Sequence, residues 1–124
     1  MTPIEAGETI LRCIDYILST YPANYDKVGE LDKKLVDLYH EIELTPIDIQ
    51  RGYRLAKQVQ DVRKERRVYK DENELLKAMH DFLNNGQSAA FRNGLANALQ
   101  KSKHRASQLE NRFYRHRSAE SGEG

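Results

Sequence analysis

The stretch from residue 51 to residue 83, RGYRLAKQVQDVRKERRVYKDENELLKAMHDFL, limits the fold more than any other part of the chain. It contains no proline and a single glycine, Gly52, and almost all its other residues favour a helix, so it reads as one long helix. Written in sevens, one seam position carries Leu55, Val62, Tyr69, Leu76 and Leu83, and the other carries Val59, Arg66, Asn73 and His80. A helix in a small bundle normally keeps both positions apolar, because a buried polar group without a partner costs about 1–3 kcal/mol. Arg66, Asn73 and His80 therefore need partners that the sequence does not name. They mark where a ligand or a partner protein is expected to touch.

A chain of 124 residues is sized for one domain. With 39% apolar and 31% charged residues, its helices should be strongly two-faced. A single cysteine, Cys13, excludes an intramolecular disulfide. No apolar run approaches the ~20 residues that span a membrane, and the N-terminus lacks a basic-then-apolar signal region. A cytosolic protein is the expectation. The net charge of +1 conceals a gradient: residues 1–50 hold four basic and ten acidic residues, 51–91 nine and six, and 92–124 seven and three. Either the acidic front packs beside the basic rest, or the basic part has an anionic partner.

Taken in order, Thr2-Pro3-Ile4-Glu5 is a helix start, with Thr2 as cap, proline at the first helical position and Glu5 reaching back as a capping box. Ala6, Ile10, Cys13 and Ile17 form the expected apolar stripe of a first helix, which places Cys13 in the core. Tyr21-Pro22 is expected to end that helix, since the residue before proline disfavours helical backbone. Asn24 then caps a second helix over about 25–43, with Val28, Leu31, Leu35, Leu38 and Ile42 as its seam. Thr45-Pro46-Ile47-Asp48 repeats the start signal and opens a third helix running to Leu83, about 57 Å long at 1.5 Å per residue. Asn84-Asn85-Gly86 is a turn. Ser88 is expected to cap a last helix with Phe91, Leu95, Ala98, Ser102, Ala106, Leu109 and Phe113 on its stripe, and residues 118–124 should be a disordered tail.

Two clusters concentrate positive charge. Arg63, Arg66, Arg67 and Lys70 share a helix face, being three and four residues apart. Such a run forms a solvated face with internal pairs, here Arg67 with Asp71 and Lys70 with Glu74, or it binds an anion. Because Arg66 falls on the seam, a carboxylate or phosphate held bidentately by its guanidinium suits it. The second cluster, Lys101, Lys103, His104, Arg105, Arg112, Arg115, His116 and Arg117, is interleaved with Phe113 and Tyr114, a pattern that suits nucleic acid or simply a basic helix end. Enzyme signatures are poor: there is no phosphate-binding glycine loop, no Cys-x-x-Cys and no His-Glu-x-x-His. Asp37-x-x-His40 has metal-ligand spacing but lacks a second such pair.

Leu31-Asp32 through Ile42-Glu43-Leu44, then Gly52-Tyr53-x-Leu55-Ala56, then Val62-Arg63-x-x-Arg66-Arg67-x-x-Lys70-Asp71-Glu72-Asn73-Glu74-Leu75, resemble a pattern in small helical proteins of bacteriophages and prophages of Gram-positive bacteria. The closing Asn111-Arg112-x-Tyr114-x-x-Arg117 resembles their C-terminal end. The resemblance implies a context, the cytoplasm of an infected host, and a role as an accessory or counter-defence factor. It carries no mechanism with it.

These readings combine into an all-α expectation: a single helical domain over 1–117, a four-helix bundle-like arrangement with the long third helix as spine, self-association, and the short tail. The expected function is non-enzymatic binding of an anionic ligand, a nucleotide in particular, without a cofactor or metal. Its site is expected at Arg63, Arg66, Arg67, Lys70, Asn73 and His80, with Arg112, Tyr114 and Arg117. The alternatives are a module that docks a host protein, and nonspecific nucleic-acid binding through the basic last helix.

Overall fold

The structure is a computed structural model that describes the backbone of residues 1–123 and the side chains of residues 1–111. It holds three helices, α1 (Pro3–Leu44), α2 (Ile49–Leu83) and α3 (Gly86–Glu123), and no strand among the described residues. The all-α expectation holds, and the four-helix arrangement is corrected to three. The two helices expected over 3–21 and 25–43 are one, with Pro22 inside it. Residues 118–124, expected to form a tail, lie outside the residues whose side chains are described. Among the described residues no helix is long and apolar enough to cross a membrane.

Contacts divide the chain into two compact units, Met1–Asp15 with Asn84–Gly124, and Tyr16–Leu83. Both draw on α1, which at 42 residues is longer than the 35-residue α2, so the helix after Pro46, expected as the long spine, is not the longest.

In the Tyr16–Leu83 unit, α1 and α2 lie antiparallel: Glu41 meets Arg54, Asp32 meets Arg66, Asn24 meets Asn73, and Tyr21 meets His80. The α2 seam is the one expected from its heptads. Leu55, Asn73 and Leu76 are buried, and Val59, Val62, Arg66, Tyr69, His80 and Leu83 are half-buried. From α1, Leu31 and Leu35 are buried opposite them. Proline inside a helix removes one ladder hydrogen bond and costs ~3 kcal/mol or more. The helix continues through Pro22 because Tyr21, Asn24, Val28, Leu31, Leu35 and Leu38 keep one unbroken seam on both sides of it. Asn24, expected as a cap, is instead a seam residue with an exposure of 5%.

The Met1–Asp15 and Asn84–Gly124 unit pairs the start of α1 with α3. Gly7 allows the close approach: a Cβ built there would stand 3.0 Å from Leu99 Cδ1, and Leu99 is the one buried residue among the described side chains of α3. Arg92 grips Asp15 with two hydrogen bonds of 2.7 Å, and Lys103 stands 3.7 Å from Glu8. The guanidinium holds the Asp15 carboxyl below its ordinary range, first by hydrogen bonding and further by its charge, against a desolvation that raises it. Two expected stripes are therefore displaced. Ala6, Ile17 and Leu95 are half-buried as expected, but Cys13 and Ile10 are exposed while Gly7 and Leu11 turn inward, and Phe91 and Ala98 are exposed while Arg92 and Leu99 turn inward. The small residue at position 7 sets this register by letting Leu99 in.

Helix ends follow the expected chemistry with shifted positions. Thr2 and Glu5 form the capping box, with Thr2 N donating to Glu5 Oε2 (3.1 Å) and Glu5 N to Thr2 Oγ1 (3.2 Å). At α2 the cap is Asp48, which accepts from Arg51 N (2.7 Å), while the Thr45 hydroxyl bonds back to the Glu41 carbonyl at the end of α1. At α3 the cap is Asn85, which accepts from Ser88 N (2.8 Å).

The glycine environments give a first prediction. Gly94 lies inside α3 with open space where its Cβ would be, so Gly94→Ala should stabilise by about 0.5–1 kcal/mol. Gly7→Leu should lower stability by forcing Leu99 aside, and thermal melts followed by circular dichroism separate the two signs.

Candidate functional site

The three polar seam residues of α2 find their partners on α1. Asn73 Oδ1 accepts from Asn24 Nδ2 (2.9 Å), and Asn73 Nδ2 donates to the Tyr21 carbonyl (3.0 Å), in the turn that Pro22 weakens. Asn24 Nδ2 also donates to Glu72 Oε1 (3.1 Å), which accepts from the Tyr16 hydroxyl as well (3.3 Å). Arg66 Nε donates to Asp32 Oδ1 at 2.6 Å. Those two side chains remain 31% and 49% exposed, so the pair contributes at most about 1 kcal/mol.

His80 stacks on Tyr21 with ring centroids 4.4 Å apart. Its buried Nδ1 has no hydrogen-bond partner and stands 3.6 Å from Asp81 Oδ1. Tyr21 in turn shares a hydrogen bond with the Tyr25 hydroxyl (3.0 Å), and that bond, with desolvation and the charges of Tyr25 and Asp81, pushes the Tyr21 phenol up to about 12.

The antiparallel pair has two broad sides with different chemistry. On one, a groove of ≈ 390 Å³ lies between Tyr39 and Ile42 of α1 and Ala56, Val59, Gln60, Arg63 and Lys64 of α2. Further along the same side, Tyr21, Tyr25 and Val28 face Lys70, Asn73, Glu74 and Lys77 across a second hollow. Steps of seven connect the two, Ala56 to Arg63, Lys70 and Lys77, and Gln60 to Arg67 and Glu74. The other side has a groove of ≈ 350 Å³ between Lys34, Asp37 and Leu38 and Gln58, Asp61 and Val62. Steps of seven from Gln58 and Asp61 reach Glu65, Glu72 and Met79, and Val68 and Leu75. The first side is basic and aromatic, the second acidic and apolar.

Of the expected site residues, Arg63, Arg67 and Lys70 thus share the basic side. Arg66, Asn73 and His80 are engaged by Asp32, Asn24 with Tyr21, and Tyr21. Arg112, Tyr114 and Arg117 lie outside the described residues. The internal pairs expected at Arg67 with Asp71 and Lys70 with Glu74 do not form. Sequence reading missed the α1 contribution of Tyr21, Tyr25, Asp32 and Tyr39. Asn24 and Asp32 sit on or beside the Val28–Leu31–Leu35 heptad, which was the available signal. Among the described residues no cluster of three or more metal-ligating side chains forms.

Two measurements check this arrangement. Asn73→Ala strips the buried Asn24 amide of a partner and should cost about 1–3 kcal/mol in chemical denaturation, whereas replacing Asn24 and Asn73 together by Leu should recover most of it. A loss under half a kcal/mol in the single variant would show that the amide pair holds nothing. Because the folded Tyr21 pKa lies above the unfolded value near 10, its stabilising contribution is complete below pH 10 and is lost as pH rises toward 12. Ultraviolet titration should accordingly show a phenol ionising near 12 that is missing from Tyr21→Phe.

No protein-family model, no characterised protein and no solved structure matches the chain, so the use of this face has to be argued from its own geometry.

Proposed function

We propose that the chain is a non-enzymatic binding protein that takes an anionic ligand on the basic side of the Tyr16–Leu83 hairpin. One observation carries the reading. Arg63, Lys64, Arg67 and Lys70 have no ion-pair partner among the described residues, whereas Arg54, Lys57, Arg66 and Lys77 of the same helix each have one. Like charges three and four residues apart on a helix repel, and an anion placed among them relieves that repulsion while accepting charge-assisted hydrogen bonds. The groove beside them is in the range of small-ligand sites, with an apolar floor of Ile42 and Val59 and the Tyr39 ring at its edge. A nucleotide fits this chemistry, its base against the floor and its phosphates toward Arg63, Lys64 and Arg67. The phage-type, counter-defence role in a host cytoplasm rests on the sequence resemblance alone, and it would make the ligand a host molecule.

A protein-interaction module is the second reading, favoured by Val68, Leu75 and Met79, which are exposed on the acidic side. A polar seam awaiting a partner helix no longer supports it, because α1 supplies the partners.

The test uses ATP, a cyclic dinucleotide and a decaglutamate peptide as probes at low protein concentration. At least one should bind saturably and raise the melting temperature. The double variant Arg63→Glu, Arg67→Glu should weaken that binding tenfold or more while the free protein melts as before. Absence of binding by all three at millimolar concentration overturns the reading.

A further inference from the structure

The two broad sides of the hairpin complement each other. A pair of antiparallel helices buries only the seam between them, and this one leaves apolar side chains on both sides. Val36 and Tyr39 are 50% and 42% exposed on the basic side, and Val68 and Leu75 are 62% and 78% exposed on the acidic side. Helical cores are ordinarily closed by a further layer of helices.

We infer that the anionic partner of the basic side is a second copy of this chain, whose acidic side stacks on it face to face, so that two hairpins enclose a four-helix core. The inference rests on the reading that the basic side takes an anionic partner, and names that partner.

Charge decides among the possible pairings. Basic side on basic side would bring Arg63, Lys64, Arg67 and Lys70 of both copies together, cations that outnumber the unpaired carboxylate Glu74 beside them. Acidic side on acidic side would bring Glu65 and Glu72 together, neither of which has an ion-pair partner among the described residues, Glu72 accepting only from the neutral Asn24 and Tyr16 side chains. Stacking unlike sides puts the unpaired cations opposite Glu65 and Glu72, and sets Val68 and Leu75 against a surface carrying Val36 and Tyr39. An apolar floor with a cationic rim suits an acidic amphipathic helix better than a polyphosphate backbone, which has no use for Ile42, Val36 or Val28. Because the two contacting surfaces differ, the contact is heterologous: each copy keeps one side free for the next, and assembly continues until a ring closes.

Two variants test this, both changing exposed residues that lie off the seam. Arg63→Glu with Arg67→Glu disables the basic side, and Leu75→Asp disables the acidic side. Sedimentation velocity of the parent at tens of micromolar should show dimers and larger species that weaken several-fold between 50 and 500 mM salt. Each variant alone should be monomeric, and at concentrations low enough for the parent to be monomeric too it should melt at the parent's temperature. An equimolar mixture should give a 1:1 dimer that grows no further, because only one competent pair of surfaces remains. Self-association of either variant alone indicates a symmetric contact and overturns the stacking of unlike sides. A parent that stays monomeric also overturns it. If that monomer still binds decaglutamate or a nucleotide through Arg63 and Arg67, the anionic-ligand reading stands without the second copy. If it binds neither, both fall.

Discussion

The Asn24–Asn73 amide pair fixes the register of the Tyr16–Leu83 hairpin. Leucines alone tolerate a slip of α1 against α2 by a heptad, since Leu31, Leu35, Leu55 and Leu76 would meet other apolar residues. A slip would leave two buried amides without partners, at about 1–3 kcal/mol each, and polar seam residues are a known means of specifying alignment in helical pairs. The same amide also donates to the Tyr21 carbonyl, next to the proline that would otherwise invite the helix to end. One interaction thus sets which residues of α1 face α2 and supports the continuity of α1. From that register follow the Arg66–Asp32 contact, the Tyr21–His80 stack and the division of the hairpin into unlike sides.

Folding consumes some of the charge in the cluster on α2 and leaves the rest. Arg66 is drawn to Asp32 because its seam position denies it full solvation, and Arg54, Lys57 and Lys77 have acids at reach. Arg63, Arg67 and Lys70 point along the side of the pair, where α1 offers Tyr25, Val36 and Tyr39 and where its Asp32 carboxylate is already taken by Arg66. The unpaired cations stand beside apolar and aromatic side chains, and the proposed binding face rests on that juxtaposition.

Heptad periodicity made α2 legible: every seam position read from the sequence is buried or half-buried. The capping box at Thr2 and Glu5 was equally readable, because it is local chemistry. What failed were positions where a distant residue decides. Pro22 reads as a stop until Asn73 is known to bond beside it, and Asn24 reads as a cap until it is seen facing Asn73. Cys13 and Phe91 looked buried because apolar stripes were counted along each helix alone. In the α1–α3 pair the absent side chain of Gly7 and the Asp15–Arg92 grip choose a face that hydrophobicity alone would not. The site was half legible: the basic face could be read from α2, and its α1 half could not.

The two proposed occupants of the basic side are linked thermodynamically. If a small anion and the acidic side of a second copy both need Arg63 and Arg67, each excludes the other, and the free energy by which one binds is the free energy by which it opposes the other. At a ligand concentration a hundred times its dissociation constant the opposition is ~2.7 kcal/mol, close to a hundredfold in the association constant. Salt acts in the same direction on both contacts, so ionic strength cannot distinguish them, whereas an anion that dissociates the assembly at constant ionic strength does so by occupying the shared face. The unlike sides of one hairpin would then make the state of assembly a readout of ligand, with no conformational change required.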